Sequence, residues 1–109
     1  MDWLGLRQMK EKAPNDVLSI YFLPPSIHEL RRRLEGRGTD SKEIINKRMG
    51  LILEKMAHWT EYDYVVVNVD VDQTVETVRE IISAERMKRV RQTGLVQFVE
   101  KLKKEAEHD

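Results

Sequence analysis

Two arginines in the first half of the chain are of a type and spacing suited to holding phosphate. Arg37 stands between two glycines in the stretch "LEGRGTDS" (34–41), and Arg48 follows on the next helical pattern. A guanidinium presents a planar fork of N–H donors that binds two phosphate oxygens at once. One such group on a flexible turn and one on a helix predict a clamp on an oligophosphate. The same Gly-Arg-Gly sequence also suits a plain solvated turn, and the spacing alone leaves both interpretations open.

The elements around these arginines alternate between strand and helix. Apolar, β-rich runs at 17–23 and 63–68 predict two strands buried on both faces. Helical patterns lie between them at 26–35 and 41–57. A strand, a helical crossover and a second strand form a βαβ unit, so the sequence predicts an α/β fold with parallel pairing.

Capping patterns and an apolar stripe mark the two central helices. Ser26 with Glu29 predicts one capping box, and Asp40 with Glu43 predicts a second. The second helix carries apolar residues at helical spacing, which predicts one continuous inward face. That face consists of Ile45, Met49, Ile52, Met56 and Trp59.

Three further helices are predicted outside the βαβ unit. One covers residues 4–12, and another begins at Asp72 with Val75, Val78 and Ile82 pointing inward. Gly94 precedes a short amphipathic tail helix at 95–107.

Composition excludes several classes of protein. The chain has 109 residues, 19 basic and 19 acidic side chains and no cysteine. Balanced charge argues against nucleic acid or a membrane surface as partner, and no apolar run approaches the ~20 residues of a membrane span. Histidines and carboxylates show no metal-ligand spacing. We therefore expect a single domain over residues 1–109 of a cytoplasmic protein.

The predicted fold gives the two arginines a location. In parallel α/β units, ligands bind beyond the carboxyl ends of the strands. Residues 24–48 leave from that end of the first strand, so Arg37 belongs to a flap over this edge. Arg48 lies about 60° from the centre of the apolar face at ~100° per residue, and can therefore face the cleft.

Several stretches in this order resemble the carboxyl-terminal half of a bacterial guanylate kinase. They are "MDWLGLRQMK" (1–10), "FLPPSIHELRRRLEGRGTDS" (22–41), "INKRM" (45–49), "MAHWTEYDYVVVN" (56–68) and "AER" (84–86). The resemblance implies part of a P-loop nucleoside monophosphate kinase fold, with a helical lid at about 26–57. It also implies phosphoryl transfer from ATP to GMP, with Mg²⁺ accompanying ATP. ATP and GMP are then the expected substrates.

The resemblance also implies roles for four residues. Arg37 resembles the lid arginine that contacts the ATP phosphates, and Arg48 resembles the arginine that bridges the donor and acceptor phosphates. Asn68 resembles the residue that reads the adenine edge. Asp2 resembles a carboxylate that accepts from the guanine amino group, although capping a helix would suit it equally well.

The sequence departs from the family pattern in one respect that affects activity. It contains no G-x-x-x-x-G-K-[ST] motif, and it lacks the small domain that grips GMP. We therefore expect the chain to be inactive by itself, and to associate with a missing amino-terminal half or with further copies of itself. The alternatives are a non-catalytic interaction module, like the kinase-like domains of junctional scaffold proteins, and a decayed remnant.

Overall fold

The computed structural model describes residues 2–36, 38 and 40–108, apart from the side chain of Arg89. The elements are helix α1 (Trp3–Lys12), strand β1 (Ile20–Leu23), helices α2 (Ile27–Glu35) and α3 (Lys42–Met56), a 3₁₀ turn (Trp59–Glu61), strand β2 (Tyr64–Val67), helix α4 (Val71–Met87), a second 3₁₀ turn (Arg89–Arg91) and helix α5 (Leu95–Glu107). The chain divides into two compact units, Met1–Thr77 and Val78–Asp109. None of the helices in the described ranges is long and apolar enough to cross a membrane.

The two strands form a parallel pair in the first unit. Ile20 lies opposite Tyr64, and Leu23 lies opposite Val67. Both strands are shorter than the apolar runs at 17–23 and 63–68, because the regular ladder covers only four positions of each. The predicted α/β class with parallel pairing and flanking helices is confirmed.

A hydrogen-bonded cluster fixes the amino ends of the strands. The carboxylate of Asp63 accepts from the backbone N–H and the hydroxyl of Ser19, both at 3.0 Å, and the N–H of Asp63 donates to the Ser19 hydroxyl at 2.9 Å. Lys10 of α1 donates to Asp63 at 2.9 Å and to the carbonyl of Glu61 at 3.1 Å. Arg7 forms an ion pair with the Glu61 carboxylate. This cluster joins α1 to both strands and sets their register.

The helix starts agree with the sequence in one case and differ in the other. Ser26 caps α2 by accepting from the N–H of Glu29 at 3.0 Å, as predicted. The prediction that Asp40 caps α3 is wrong, because Ser41 accepts from the N–H of Ile44 at 3.3 Å. The Asp40 side chain pairs with Arg48 instead.

The apolar face of α3 is also shorter than predicted. Ile45 and Met49 are buried, and Ile52 and Met56 are half-buried. Trp59 is 52% exposed, so its assignment to this face is wrong. The helix ends at Met56, and Trp59 begins a 3₁₀ turn, so Trp59 does not continue the helical spacing of the apolar face.

The core of the described chain is small. Its buried apolar side chains are Leu6, Ile45, Met49 and Val66. The expectation that both strands are buried on both faces is wrong, since Phe22 is 47% and Val67 54% exposed. The elements that pack most closely are the strands with each other, α2 with α3, and α1 with the first 3₁₀ turn. Phe22 and Val67 thus remain accessible on the strands, whereas Val66 is buried.

The predicted inward residues of α4 are accessible as well. Val75 is 44% and Ile82 36% exposed, which contradicts their assignment to a core, whereas Val78 is half-buried.

Replacing Asp63 by Ala should lower the free energy of unfolding by about 1–3 kcal/mol, because the buried Ser19 loses its acceptor. Partial burial would raise the pKa of Asp63, but hydrogen bonds from Lys10 and Ser19 outweigh it and hold that pKa below its usual value. A lowered folded-state pKa contributes stability at neutral pH, and this contribution is lost as pH falls through the folded pKa. The difference between wild type and Asp63→Ala should therefore shrink below about pH 4. Urea unfolding at several pH values measures it.

The control for this experiment is Asp16→Ala, which removes an exposed carboxylate from the turn before β1. It should change stability by less than about 0.5 kcal/mol. A loss in Asp63→Ala that stays constant down to pH 3 would contradict the charged role of Asp63.

Candidate functional site

The carboxyl ends of β1 and β2 meet at one edge of the parallel pair. Leu23 and Val67 are the last paired residues of the ladder, and the N–H of Asn68 donates to the carbonyl of Leu23 at 2.8 Å. At this edge β1 is followed by the start of α2, and β2 is followed by the start of α4. Helix N-termini and strand ends at one edge are where α/β folds bind ligands.

A cleft of about 180 Å³ lies at this edge. Its lining combines apolar side chains with three residues that carry polar groups, Tyr21, Arg33 and Asn68. The lining residues are Tyr21, Phe22, Leu23, Pro24, Leu30, Arg33, Ile52, Met56 and Asn68. Apolar walls with a few polar groups suit a flat heteroaromatic ring whose edge is read by hydrogen bonds.

Neighbouring side chains hold Asn68 in place. Its backbone carbonyl accepts from Arg33 of α2 at 3.1 Å, and its side-chain oxygen accepts from the Thr74 hydroxyl of α4 at 2.8 Å. The carboxamide NH₂ has no hydrogen-bond partner among the described residues. This arrangement leaves donors that can reach an acceptor on a ligand base.

Arg33 is itself oriented by a carboxylate one turn earlier on α2. Glu29 accepts from Arg33 at 3.2 Å and from Arg32 at 2.9 Å. The hydrogen bond from Arg32, assisted by Arg33, lowers the pKa of Glu29 to about 2. Glu29 thus stays ionised at neutral pH. Its carboxylate accepts hydrogen bonds from the two arginines, and not from the backbone N–H of Ser26 as the predicted capping box would require.

A second cleft, of about 230 Å³, contains Asp2. It shares Tyr21 and Ile52 with the first cleft and is otherwise lined by Trp3, Lys55 and Tyr62. The rings of Tyr21 and Tyr62 lie 4.7 Å apart at 52°. Burial, together with Tyr62, raises the pKa of Tyr21, so the Tyr21 hydroxyl is a neutral donor at pH 7.

Asp2 has a structural role in α1. One of its carboxylate oxygens accepts from the N–H of Gly5 at 3.0 Å and caps the helix. The capping alternative raised by the sequence is therefore what the structure shows for this oxygen. A carboxylate has a second oxygen, which leaves a contact with a ligand amino group chemically feasible.

Of the two predicted phosphate-binding arginines, the structure describes Arg48, and it does not bring that residue to the Asn68 cleft. Arg48 extends from α3 and donates to Asp40 at 2.7 Å, and it is not among the residues that line either cleft. Arg37 lies outside the described residues. The structure therefore groups Asn68 with Arg33, places Asp2 in the adjoining cleft and leaves Arg48 with Asp40.

Sequence reasoning missed Arg33 and Thr74 as parts of the site. Arg33 stands in the run "RRR" (31–33), which has the appearance of a solvated basic face. Its spacing of four from Glu29 was an available signal, since residues at this distance share a helix face. Thr74 gave no signal, because its contact with Asn68 depends on how the chain turns into α4.

The described part of the chain contains no group of three or more His, Cys, Asp or Glu side chains that could hold a metal ion.

Comparison with known proteins identifies the family. A family model described as guanylate kinase matches residues 1–85. The guanylate kinase of Novosphingobium aromaticivorans is 57% identical over 99 residues, which cover 91% of this chain and 45% of that protein. The guanylate kinase of Paramagnetospirillum magneticum is 50% identical over 94% of this chain and 48% of its own length. The chain thus spans about half the length of the curated relatives it matches.

A solved structure agrees with these matches. The crystal structure of guanylate kinase from Anaplasma phagocytophilum superimposes with a TM-score of 0.73 at 35% identity, over 93% of this chain and 47% of that one. The resemblance noted in the sequence is confirmed, and the parallel strands and flanking helices are part of a P-loop kinase fold. The chain belongs to the guanylate kinase family.

Proposed function

We propose that this chain supplies the lid and the adenine-binding edge of a guanylate kinase that converts ATP and GMP to ADP and GDP. The observation that carries the proposal is the cleft at the carboxyl ends of β1 and β2, in a chain of this family, with Asn68 fixed at its rim. In this proposal the α2–α3 hairpin, within about 26–57, is the lid.

The adenine base is assigned to the Asn68 cleft. Arg33 and Thr74 hold Asn68 by its two oxygens, at 3.1 and 2.8 Å, so its NH₂ group points a donor at a base nitrogen. The floor formed by Leu23, Leu30 and neighbouring side chains offers apolar contact to the ring face. This combination reads the edge of a purine while desolvating its faces.

The phosphates are assigned to Arg37 and Arg48. Phosphoryl transfer depends mainly on positioning and on neutralising charge as it develops on the transferring group. Arg48 is 44% exposed in its side chain, and among the described residues it is anchored by its ion pair with Asp40, which a phosphate can replace. Its proposed role is to bridge the donor and acceptor phosphates.

The guanine base is assigned to the cleft that contains Asp2. The carboxylate would accept from the guanine amino group, while Tyr21 and Tyr62 offer ring surface. Since the sequence lacks the small domain that grips GMP, these groups give at most a partial site. Magnesium would arrive with ATP and offset phosphate charge, and none of the described residues is assigned to it as a ligand.

A polypeptide with this sequence alone is proposed to be inactive, because it contains no G-x-x-x-x-G-K-[ST] motif to cradle the phosphates. The free edge of β1 is proposed as the point of association with another polypeptide. The carbonyls of Ser19 and Leu23 face β2, so the backbone groups of Ile20 and Phe22 point the other way. Such an edge is a template for a further strand.

The first prediction concerns nucleotide binding by the chain itself. A few charge-assisted contacts of about 1.5–3 kcal/mol each, less the entropy of association, give roughly millimolar affinity for ATP. Asn68→Asp should weaken this binding at least severalfold because it replaces a donor by a negatively charged acceptor. NMR shift titrations with ATP and GMP measure it. Asn15→Asp, in the exposed turn before β1, is the control and should bind as wild type does. Micromolar binding of GMP would refute the assignment of a partial guanine site.

The second prediction concerns catalysis. Mixing the chain with the amino-terminal half of a related guanylate kinase should restore ATP-dependent formation of GDP. Arg48→Ala should then lower the rate by about 10³-fold or more, the scale of an arginine that stabilises the transferring phosphoryl group. Lys47→Ala removes the neighbouring exposed cation and should leave the rate within about twofold. Restored activity that is indifferent to Arg48 would rule out its proposed role.

The third prediction concerns self-association. The isolated chain should be a dimer or larger in solution, with β1 at the contact, since a two-stranded sheet is marginal alone and two identical edges can pair symmetrically. Phe22→Lys should shift the chain toward monomer, because a charge on an edge strand opposes pairing. Light scattering over a concentration series measures it. Ile44→Lys, a comparable change at an exposed position of α3, should leave the mass unchanged. A wild-type monomer at high concentration would refute pairing at β1.

A further inference from the structure

The contact between Arg48 and Asp40 joins α3 to the segment that precedes it. Arg48 lies about 9 Å along the axis from the first residue of α3, at ~1.5 Å per residue. Long side chains in helices lean back toward the N-terminus, and Arg48 does so until one of its terminal nitrogens donates to the Asp40 carboxylate at 2.7 Å. Asp40 thereby ties the connection between α2 and α3 to the side of α3.

The carboxylate of Asp40 is not needed to start the helix. Ser41 performs that task by accepting from the N–H of Ile44 at 3.3 Å. The Asp40 side chain is only 17% exposed, whereas that of Arg48 is 44% exposed. Within the described residues the hydrogen-bond partner of this carboxylate is Arg48, whose guanidinium is accessible to a competitor.

Gly38, two residues before Asp40, has a φ of 69°, which glycine adopts without the steric cost that a side chain would bring. On α3 itself, Asn46 accepts from Arg31 of α2 at 2.9 Å. This contact links α2 to α3 independently of the pair between Asp40 and Arg48.

We propose that Asp40 is an internal competitor for Arg48, a carboxylate that an oligophosphate must displace before it can use the full guanidinium. The inference rests on the proposed function, because it assumes that Arg48 binds phosphate. The N–H group that donates to Asp40 cannot serve a phosphate oxygen at the same time, and the adjacent carboxylate offsets the charge of the guanidinium. A partly exposed ion pair is weak, and an oligophosphate offers more charge and more acceptor oxygens. Displacement of Asp40 therefore makes the whole guanidinium available to the phosphate.

The test is a double-mutant cycle with inorganic tripolyphosphate as the probe, on wild type, Asp40→Asn, Arg48→Ala and the double variant. Asp40→Asn should bind tripolyphosphate about two- to fivefold more tightly than wild type, the range of an exposed ion pair. It should give no such gain when Arg48 is already alanine. NMR titration measures the affinities.

Asp16→Asn is the matched control, since it removes one exposed carboxylate from the turn before β1. An equal gain in Asp16→Asn, or in Asp40→Asn combined with Arg48→Ala, would overturn the inference by showing a general charge effect. No gain in Asp40→Asn, with wild-type binding that depends on Arg48, would overturn the inference alone. If neither wild type nor Asp40→Asn binds tripolyphosphate through Arg48, both the inference and the proposed phosphate-binding role of Arg48 are overturned.

Discussion

The parallel register of β1 and β2 is the constraint on which the described structure depends. At the amino ends, the Asp63 carboxylate binds both polar groups of Ser19, whose side chain is buried. At the carboxyl ends, the N–H of Asn68 continues the ladder by bonding to Leu23. A slip of one residue would turn every side chain to the opposite face. The register therefore determines that Asn68 emerges beside the start of α2, within reach of Arg33.

Charged side chains in this chain act mainly as local positioning devices. Glu61 and Asp63 bind Arg7 and Lys10 of α1, and Glu29 binds Arg32 and Arg33. Exposed pairs of this kind contribute little to stability individually, about 0–1 kcal/mol each. Their value is geometric, because each fixes the direction of a long side chain. This explains how a chain with equal numbers of basic and acidic residues can still hold an arginine at the rim of a cleft.

The exposed apolar surface of the strands favours association with another strand at the edge of β1. Phe22, Val65 and Val67 are all at least 38% exposed, although they belong to strands that the sequence marks as buried. The backbone groups of Ile20 and Phe22, on the side of β1 away from β2, lie next to this apolar surface. Burial of apolar area at about 25 cal/mol per Å² is the main force that could bring a further strand or a second copy to this edge. The same reasoning links the small core to the proposal that the chain functions with a partner.

The sequence by itself determined the class of fold, because the evidence for it is local. Alternating apolar runs give strands, Ser26 gives a helix start, and Ile45 with Met49 gives an inward stripe, each through contacts within a few residues. Family motifs in the right order added the candidate roles of Asp2, Arg37, Arg48 and Asn68, which remain predictions. Helix-cap chemistry was predicted less well for α3, because Asp40 and Ser41 are both good caps and sequence cannot choose between them.

Only the tertiary structure decided which side chains meet. Arg33 reaches Asn68 across 35 positions of sequence, and Ser19 reaches Asp63 across 44, distances over which no local pattern carries information. Asp40 could cap a helix or hold Arg48, and the choice depends on the path of the chain before α3. Exposure of Phe22 and Val67 likewise depends on what packs over them rather than on their own apolar character. Local propensity fixes elements, whereas contacts between distant segments fix the site.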